Sequence, residues 1–246
     1  MQNIKIIAEI GSNWNGSEQL GKKIIKSAKL SGADYVKFQM WRASDLYKPS
    51  HPYWKEIKKS EFTPQMAKKL KEYADSLHID CFWSVFYPEA VDVLEDLNVK
   101  LYKIASVTSA LKHKFSLETM EKISKTKKPV IISMGFGGDK NNLKKIFHNN
   151  KQYFLYCIPR YPTNINSISF KEMTKFDGFS DHTKGILAPI IFALKNHEKQ
   201  TTKFLEKHIS IRESRGADKL VSLDINNFQI LISEIKKINT LYQSIF

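Results

Sequence analysis

Eight short apolar or β-branched runs alternate along this 246-residue chain with eight segments of helical period, and that alternation limits the folds open to it. The runs predicted as strands are 4 to 10, 34 to 39, 80 to 86, 100 to 106, 129 to 135, 153 to 158, 178 to 183 and 203 to 210. The predicted helices are 17 to 31, 63 to 77, 88 to 98, 116 to 126, 139 to 149, 167 to 175, 185 to 196 and 224 to 245. Thr63 before Pro64, and Pro88 before Glu89, mark two helix starts, because proline in a first turn gives up no intrahelical hydrogen bond. Strands joined through helices run parallel, and eight such units close into a (β/α)₈ TIM barrel, read here as one α/β domain over 1–246. A doubly wound open sheet is the alternative, but no GxGxxG follows a strand, and Gly135, Gly137 and Gly138 fit a turn after strand five.

A formal charge of +14 invites a nucleic-acid reading. Only four of the 39 basic residues are arginines (Arg42, Arg160, Arg212 and Arg215), whereas bidentate recognition of phosphates and bases favours arginine. The lysines of KKIIKSAK and MAKKLKEY fall opposite apolar stripes, so most are read as solvated helix surface with no nucleic-acid partner. No apolar stretch reaches the ~18 residues of a spanning helix, and MQNIKIIAEIGSN has no cleavage-type ending, so the expectation is a cytoplasmic protein with no membrane partner. Cys81 and Cys157 sit in apolar runs without CxxC spacing and read as reduced core thiols.

In such a barrel the reacting groups come from the carboxyl ends of the strands. Those ends offer Glu9, then Lys37 and Gln39, Ser84, Lys103 and Ser106, Ser133, then Ser180, Asp181 and His182, and finally Glu206 and His208. A lysine inside an apolar strand is costly to bury unless it meets an anion, and Lys37 and Lys103 together point to an anionic ligand. Ser106, Ser133 and Ser180 offer hydroxyl donors for a phosphate. The alternative is that each lysine stem packs in the wall while its head snorkels to water. His182 and His208 close adjacent strands and are candidate ligands of one metal ion; an ordinary hydrogen-bonded pair is the alternative. His51, His78, His113, His148 and His197 fall in helices or loops and are assigned no chemistry.

Several segments together resemble the phosphoenolpyruvate-dependent sialic acid synthase family, which makes N-acetylneuraminate, legionaminate and pseudaminate. They are AEIGSNWNGS at 8 to 17, SGADYVKFQ at 31 to 39, FWSVFYPEAVDVLEDLNVKLYKIAS at 82 to 106, KPVIISMG at 128 to 135, GFSDHTKG at 178 to 185, and EKHIS with GADKLVSL between 206 and 223. The resemblance implies a (β/α)₈ barrel that joins phosphoenolpyruvate to the aldehyde of an open-chain amino sugar, giving a 3-deoxy-2-ulosonic acid and phosphate. Carried over by position, Lys37, Ser84 and Lys103 would hold the phosphoenolpyruvate carboxylate, and Ser106, Ser133 and Ser180 its phosphate. His182 and His208 would bind manganese or magnesium, while Glu9, Gln39, Tyr161 and Asp218 would position the sugar, the metal-bound water or the proton transfers.

The departures matter too. Thr108 stands where the family usually has an acidic residue, Pro159 where it commonly has Asn, Trp14 for a His in NHxG, SMGF for STGM, and Tyr156 for a strand-six His. The family's C-terminal antifreeze-like domain, which supplies an arginine to the sugar and is exchanged in its dimers, has no counterpart in the resemblance. The expectation is therefore a separate lid protein, compensation by Arg160, Arg212 or Arg215, or an altered reaction, with a homodimer also open. The rival functional reading is a degenerate barrel that binds ligands or a partner without turnover.

Overall fold

A computed structural model describes residues 4–196 and 201–245, which leaves His197 outside the described residues. Strands β1 (Ile4–Glu9), β2 (Tyr35–Met40), β3 (Asp80–Val85), β4 (Tyr102–Ile104), β5 (Val130–Ser133), β6 (Gln152–Cys157), β7 (Gly178–Asp181) and β8 (Lys203–Ser210) pair in parallel in chain order. β8 then pairs back onto β1 over six residues, so the sheet closes and the open-sheet alternative falls. A short β9 (Leu223–Asp224) pairs with the end of β8.

Alternation along each strand divides the core in two. The inward apolar side chains, Ile7, Phe82, Leu101, Ile131, Leu155 and Phe204, fill the barrel's lower half. The outward ones pack beneath the helices in a much larger cluster. Gly178 is needed inside the barrel, where a Cβ would stand 2.3 Å from the Phe204 carbonyl oxygen and 2.5 Å from Leu155 Cδ2.

The principal crossover helices are α1 (Glu18–Ser31), α4 (Pro64–Ser76), α5 (Glu89–Asp96), α7 (Ser116–Lys125), α8 (Lys140–Ile146), α10 (Leu187–Asn196) and α11 (Ile225–Ile245). Thr63 caps α4 by accepting from the Met66 amide, as the Thr-Pro start predicts. Between β2 and α4, expected as loop, lie α2 (Ala43–Leu46) and α3 (Trp54–Lys59). The strand predicted over 100 to 106 is only three residues long, and Ser106 instead opens the short helix α6 (Ser106–Ser109). The helix predicted over 167 to 175 is a single turn, α9 (Phe170–Met173), behind a 3₁₀ turn at Ile165–Ser167. Both errors come from apolar spacing carried past the point where the backbone turns.

Trp14, standing in place of a family histidine, is a core residue. Its ring stacks on Phe62 at 4.4 Å and meets Phe38 edge-on at 6.3 Å, on the outer side of β2. Among the described residues no helix is long and apolar enough to cross a membrane.

Candidate active site

The same alternation that fills the lower barrel with apolar groups turns polar in the upper layer. Two residues above Tyr35 and Phe82 stand Lys37 and Ser84, above Leu101 and Ile131 stand Lys103 and Ser133, and above Phe204 stands Glu206. Register then sets them side by side: Gln39 pairs with Ser84 and Ser84 with Lys103, while Cys157 pairs with Ser180 and Ser180 with Glu206. Above this floor opens a cavity of about 530 Å³ at the carboxyl end of the barrel.

Both lysines are buried, 2% exposed, and neither snorkels to water. Lys37 Nζ donates to Ser84 Oγ at 2.8 Å, forms an ion pair with Glu9, and lies 3.5 Å from Glu206 Oε2. Lys103 Nζ donates to Ser133 Oγ at 2.7 Å and lies 3.8 Å from Glu206 Oε1. Because each ammonium donates to a serine oxygen, the hydroxyl hydrogens of Ser84 and Ser133 are free to point at a ligand. Ser180 is arranged otherwise, its hydroxyl donating to Glu206 Oε1 at 2.7 Å. Ser106 Oγ faces Cys157 Sγ at 3.5 Å.

Two buried carboxylates balance the two cations, but unequally. Burial pushes both carboxyls up; at Glu206, Lys103 and Lys37 outweigh it and hold the group down at about 2. At Glu9 burial prevails over Lys37 and the group rises to about 7. Burial alone would lower Lys37, but Glu206 and Glu9 together raise it, so Glu9 is the member of that pair whose charge gives way. Burial lowers Lys103. Glu206 lines the cavity, and although the strand ends offered it without a role, its signal was present: Glu206 and His208 share the inward face of β8 while Lys207 faces out.

His182 and His208 stand with ring centroids 5.5 Å apart. His182 Nδ1 lies 2.9 Å from the Ile158 carbonyl oxygen, which only accepts, so the proton sits on Nδ1 and the Nε2 lone pair is free. His208 Nδ1 is buried with no hydrogen-bond partner. Burial, aided at His182 by His208, lowers both imidazoles to about 4. Two neutral, close imidazoles, one oriented by a carbonyl, fit the donor set of a divalent transition-metal ion. Among the described residues no group of three or more His, Cys, Asp or Glu side chains could hold a metal, so this is a two-imidazole fit. Tyr161 lies over this pair, stacked on His182 at 4.0 Å.

These shifts set a pH dependence for the metal-free protein. A histidine lowered from about 6.5 to about 4 adds stability that is present above pH 6.5 and lost as pH falls through 4. Glu9, raised from 4.5 to about 7, acts oppositely, its contribution fading as pH rises between those values. Two histidines outweigh one carboxyl, so denaturation midpoints in the presence of a chelator are expected to rise from pH 4 to 6.5 and ease slightly by pH 7. Glu9→Gln is expected to steepen the acid limb. A flat profile would count against the buried, neutral state of the histidines.

Asp218 reaches the mouth from the segment after β8, where Ser12 N and Oγ both donate to its Oδ2 at 2.8 and 2.6 Å. Gly11, at φ +52°, makes that approach possible, since a Cβ there would stand 2.4 Å from Asp218 Oδ2. Glu9 lies behind the cavity surface, donating no atom to its lining but accepting from Gln39 Nε2 at 2.8 Å. The other eleven expected site residues all line the cavity.

The lining bears on three of these readings. His51, assigned no chemistry, lines the cavity. Among the described residues lining the cavity there is no arginine; Arg160, Arg212 and Arg215 are exposed elsewhere. Thr108 turns its hydroxyl to His113 Nε2 at 3.0 Å rather than to the cavity, whereas Pro159 does line it.

The NeuB family model matches residues 24–245 of this chain. An N,N'-diacetyllegionaminic acid synthase of Campylobacter jejuni is 32% identical over 97% of the chain and 77% of its own length. A pseudaminic acid synthase of Helicobacter pylori is 30% identical over 96% of the chain and 75% of its own length. Among solved structures, an N-acetylneuraminic acid synthetase from Leptospira borgpetersenii superposes with a TM-score of 0.84, covering 96% of this chain and 84% of that one at 24% identity, a likeness of fold.

Proposed function

The chain belongs to the NeuB family, whose named relatives are synthases of sialic-type acids, and from that premise we propose that it condenses phosphoenolpyruvate with the aldehyde of an amino sugar. The observation that carries this reading is the cavity floor: two buried ammonium groups, each fixed by a serine whose own hydrogen is free, beneath two neutral imidazoles. Lys37, Ser84 and Lys103 hold the substrate carboxylate, and Ser106, Ser133 and Ser180 its phosphate, Ser180 turning from Glu206 to do so. Manganese or magnesium held by His182 and His208 supplies, when bound, Lewis-acid polarisation of the aldehyde oxygen.

C3 of the enol forms the new carbon–carbon bond to the aldehyde carbon, whose oxygen takes up a proton. Water adds at C2 and the C2–O bond to phosphate breaks, leaving a 2-keto-3-deoxy acid and inorganic phosphate. Glu206, ionised and with Oε2 unpartnered in hydrogen bonding, accepts a hydrogen bond from that water and orients it, the two water protons ending on the former aldehyde oxygen and on the released phosphate, while Glu9 and Gln39 fix Lys37 from behind. Tyr161 and Asp218 border the acceptor end.

Mixing the protein with phosphoenolpyruvate, manganese and an N-acetylated hexosamine is expected to release inorganic phosphate in step with a 2-keto acid. No release across a broad aldose panel, with metal and phosphoenolpyruvate both shown to bind, would favour the second reading, a ligand-binding barrel without turnover. Pro159 speaks for that reading, since it gives the lining no side-chain donor.

A further inference from the structure

Above the floor the cavity changes character. The segment between β2 and α4 contributes Trp41, Leu46, Tyr47, His51 and Tyr53, and Phe136 and Leu220 join the lining from elsewhere in the chain. Three of these rings touch in sequence: Tyr47 meets His51 at 5.0 Å and His51 meets Tyr53 at 6.3 Å. The Tyr53 amide donates to His51 Nδ1 at 3.2 Å, tying the two residues together. In a chain with 39 Lys and Arg, the described residues lining the cavity include only two cations, Lys37 and Lys103, and both are on the floor. The other charged side chains of the lining are acidic, Glu206 and Asp218.

We infer that the wall built from residues 41–57 is the acceptor half of the site, and that it selects an uncharged amino-sugar aldehyde against its phosphate ester. This rests on the condensation proposed above. Aromatic faces suit the apolar C–H face of a sugar chain and the methyl of an N-acyl group. A phosphate monoester at the far end of the acceptor carries close to two negative charges, and against this wall it would lose water without gaining a cation while facing Asp218.

The test compares an N-acetylhexosamine with its 6-phosphate, each at saturating phosphoenolpyruvate and manganese. The neutral sugar is expected to have the higher kcat/KM by about 100-fold or more, the range reached when a site leaves a charged group unpaired. Tyr47→Ala is expected to raise KM for the neutral sugar about tenfold with kcat little changed and the thermal midpoint retained, as for loss of an aromatic contact. Tyr53→Lys is expected to narrow the preference by improving the phosphate ester. Equal or better use of the ester by the unaltered protein, or a Tyr47→Ala KM equal to the parent's, would overturn the inference. If neither sugar is turned over, the condensation reading fails and calorimetric binding of the two sugars decides this one separately. Binding of the neutral sugar alone supports it; binding of the ester as tightly, or of neither, overturns it.

Discussion

Replacing Lys103 with Met is expected to cut phosphate release by about 30- to 5,000-fold while the barrel stays folded, because losing one member of a desolvated charge contact costs about 2–5 kcal/mol. Lys103 is buried among Ser133, the Ile104 carbonyl and Glu206, and it lies on the floor where the substrate's anionic groups are proposed to sit. The methionine keeps most of the stem's volume and removes the charge. Two carboxylates are then left with one cation, and the cluster has a built-in response. Glu9 titrates near 7, so it takes up a proton and restores neutrality at little cost. Glu206, which leans on Lys103 first and Lys37 second, keeps one of its two cations. Calorimetry should show weakened phosphoenolpyruvate binding, and circular dichroism a melt near that of the parent. A parental rate in Lys103→Met would show that the substrate's charge is met elsewhere.

The barrel was legible because its signal is redundant. Each strand is a short apolar run bounded by helical periodicity, and an error of two residues, as at β4, does not alter the strand order. The floor was legible for a different reason. Lys37 and Lys103 are costly where they stand, and costly residues inside strands announce a task. Glu206 was weaker in the sequence because a glutamate at a strand end is ordinary; only the inward phase of β8 separates it from Lys207. The upper wall was illegible. Tyr47, His51 and Tyr53 lie between two short helices, with no period, and what unites them is the path of a loop that tertiary packing decides. Thr108, which stands where the family usually has an acidic residue, turns its hydroxyl to His113, a local structural partner.

The largest stability effect is expected on the outer side of β8, at Lys207. Its side chain is fully buried, as is that of Asp181, whose Oδ2 accepts from Lys207 Nζ at 2.7 Å. Asp181 also accepts from Thr183 N and Oγ1 at 2.9 and 3.0 Å, and Lys207 donates in addition to the Thr183 carbonyl. The pair thus ties the end of β8 to the turn after β7, and the residues it brackets, His182 and His208, are the two proposed metal ligands. Lys207→Met leaves a carboxylate unpaired in an apolar layer, at a cost of about 3–5 kcal/mol, or roughly 6–20 °C in Tm for a chain of this size. Adding Asp181→Asn removes the stranded charge while keeping an acceptor for the Thr183 amide, so the double variant is expected to be more stable than Lys207→Met alone. Its coupling energy should be about 1–3 kcal/mol. Manganese affinity, read by electron paramagnetic resonance of the bound ion, should fall in the single variant and recover in part in the double, because the strain on the histidine turn follows the stranded carboxylate. A Lys207→Met protein that melts with the parent would mean that Asp181 finds water or another donor there, and that the outer pair does not brace the site.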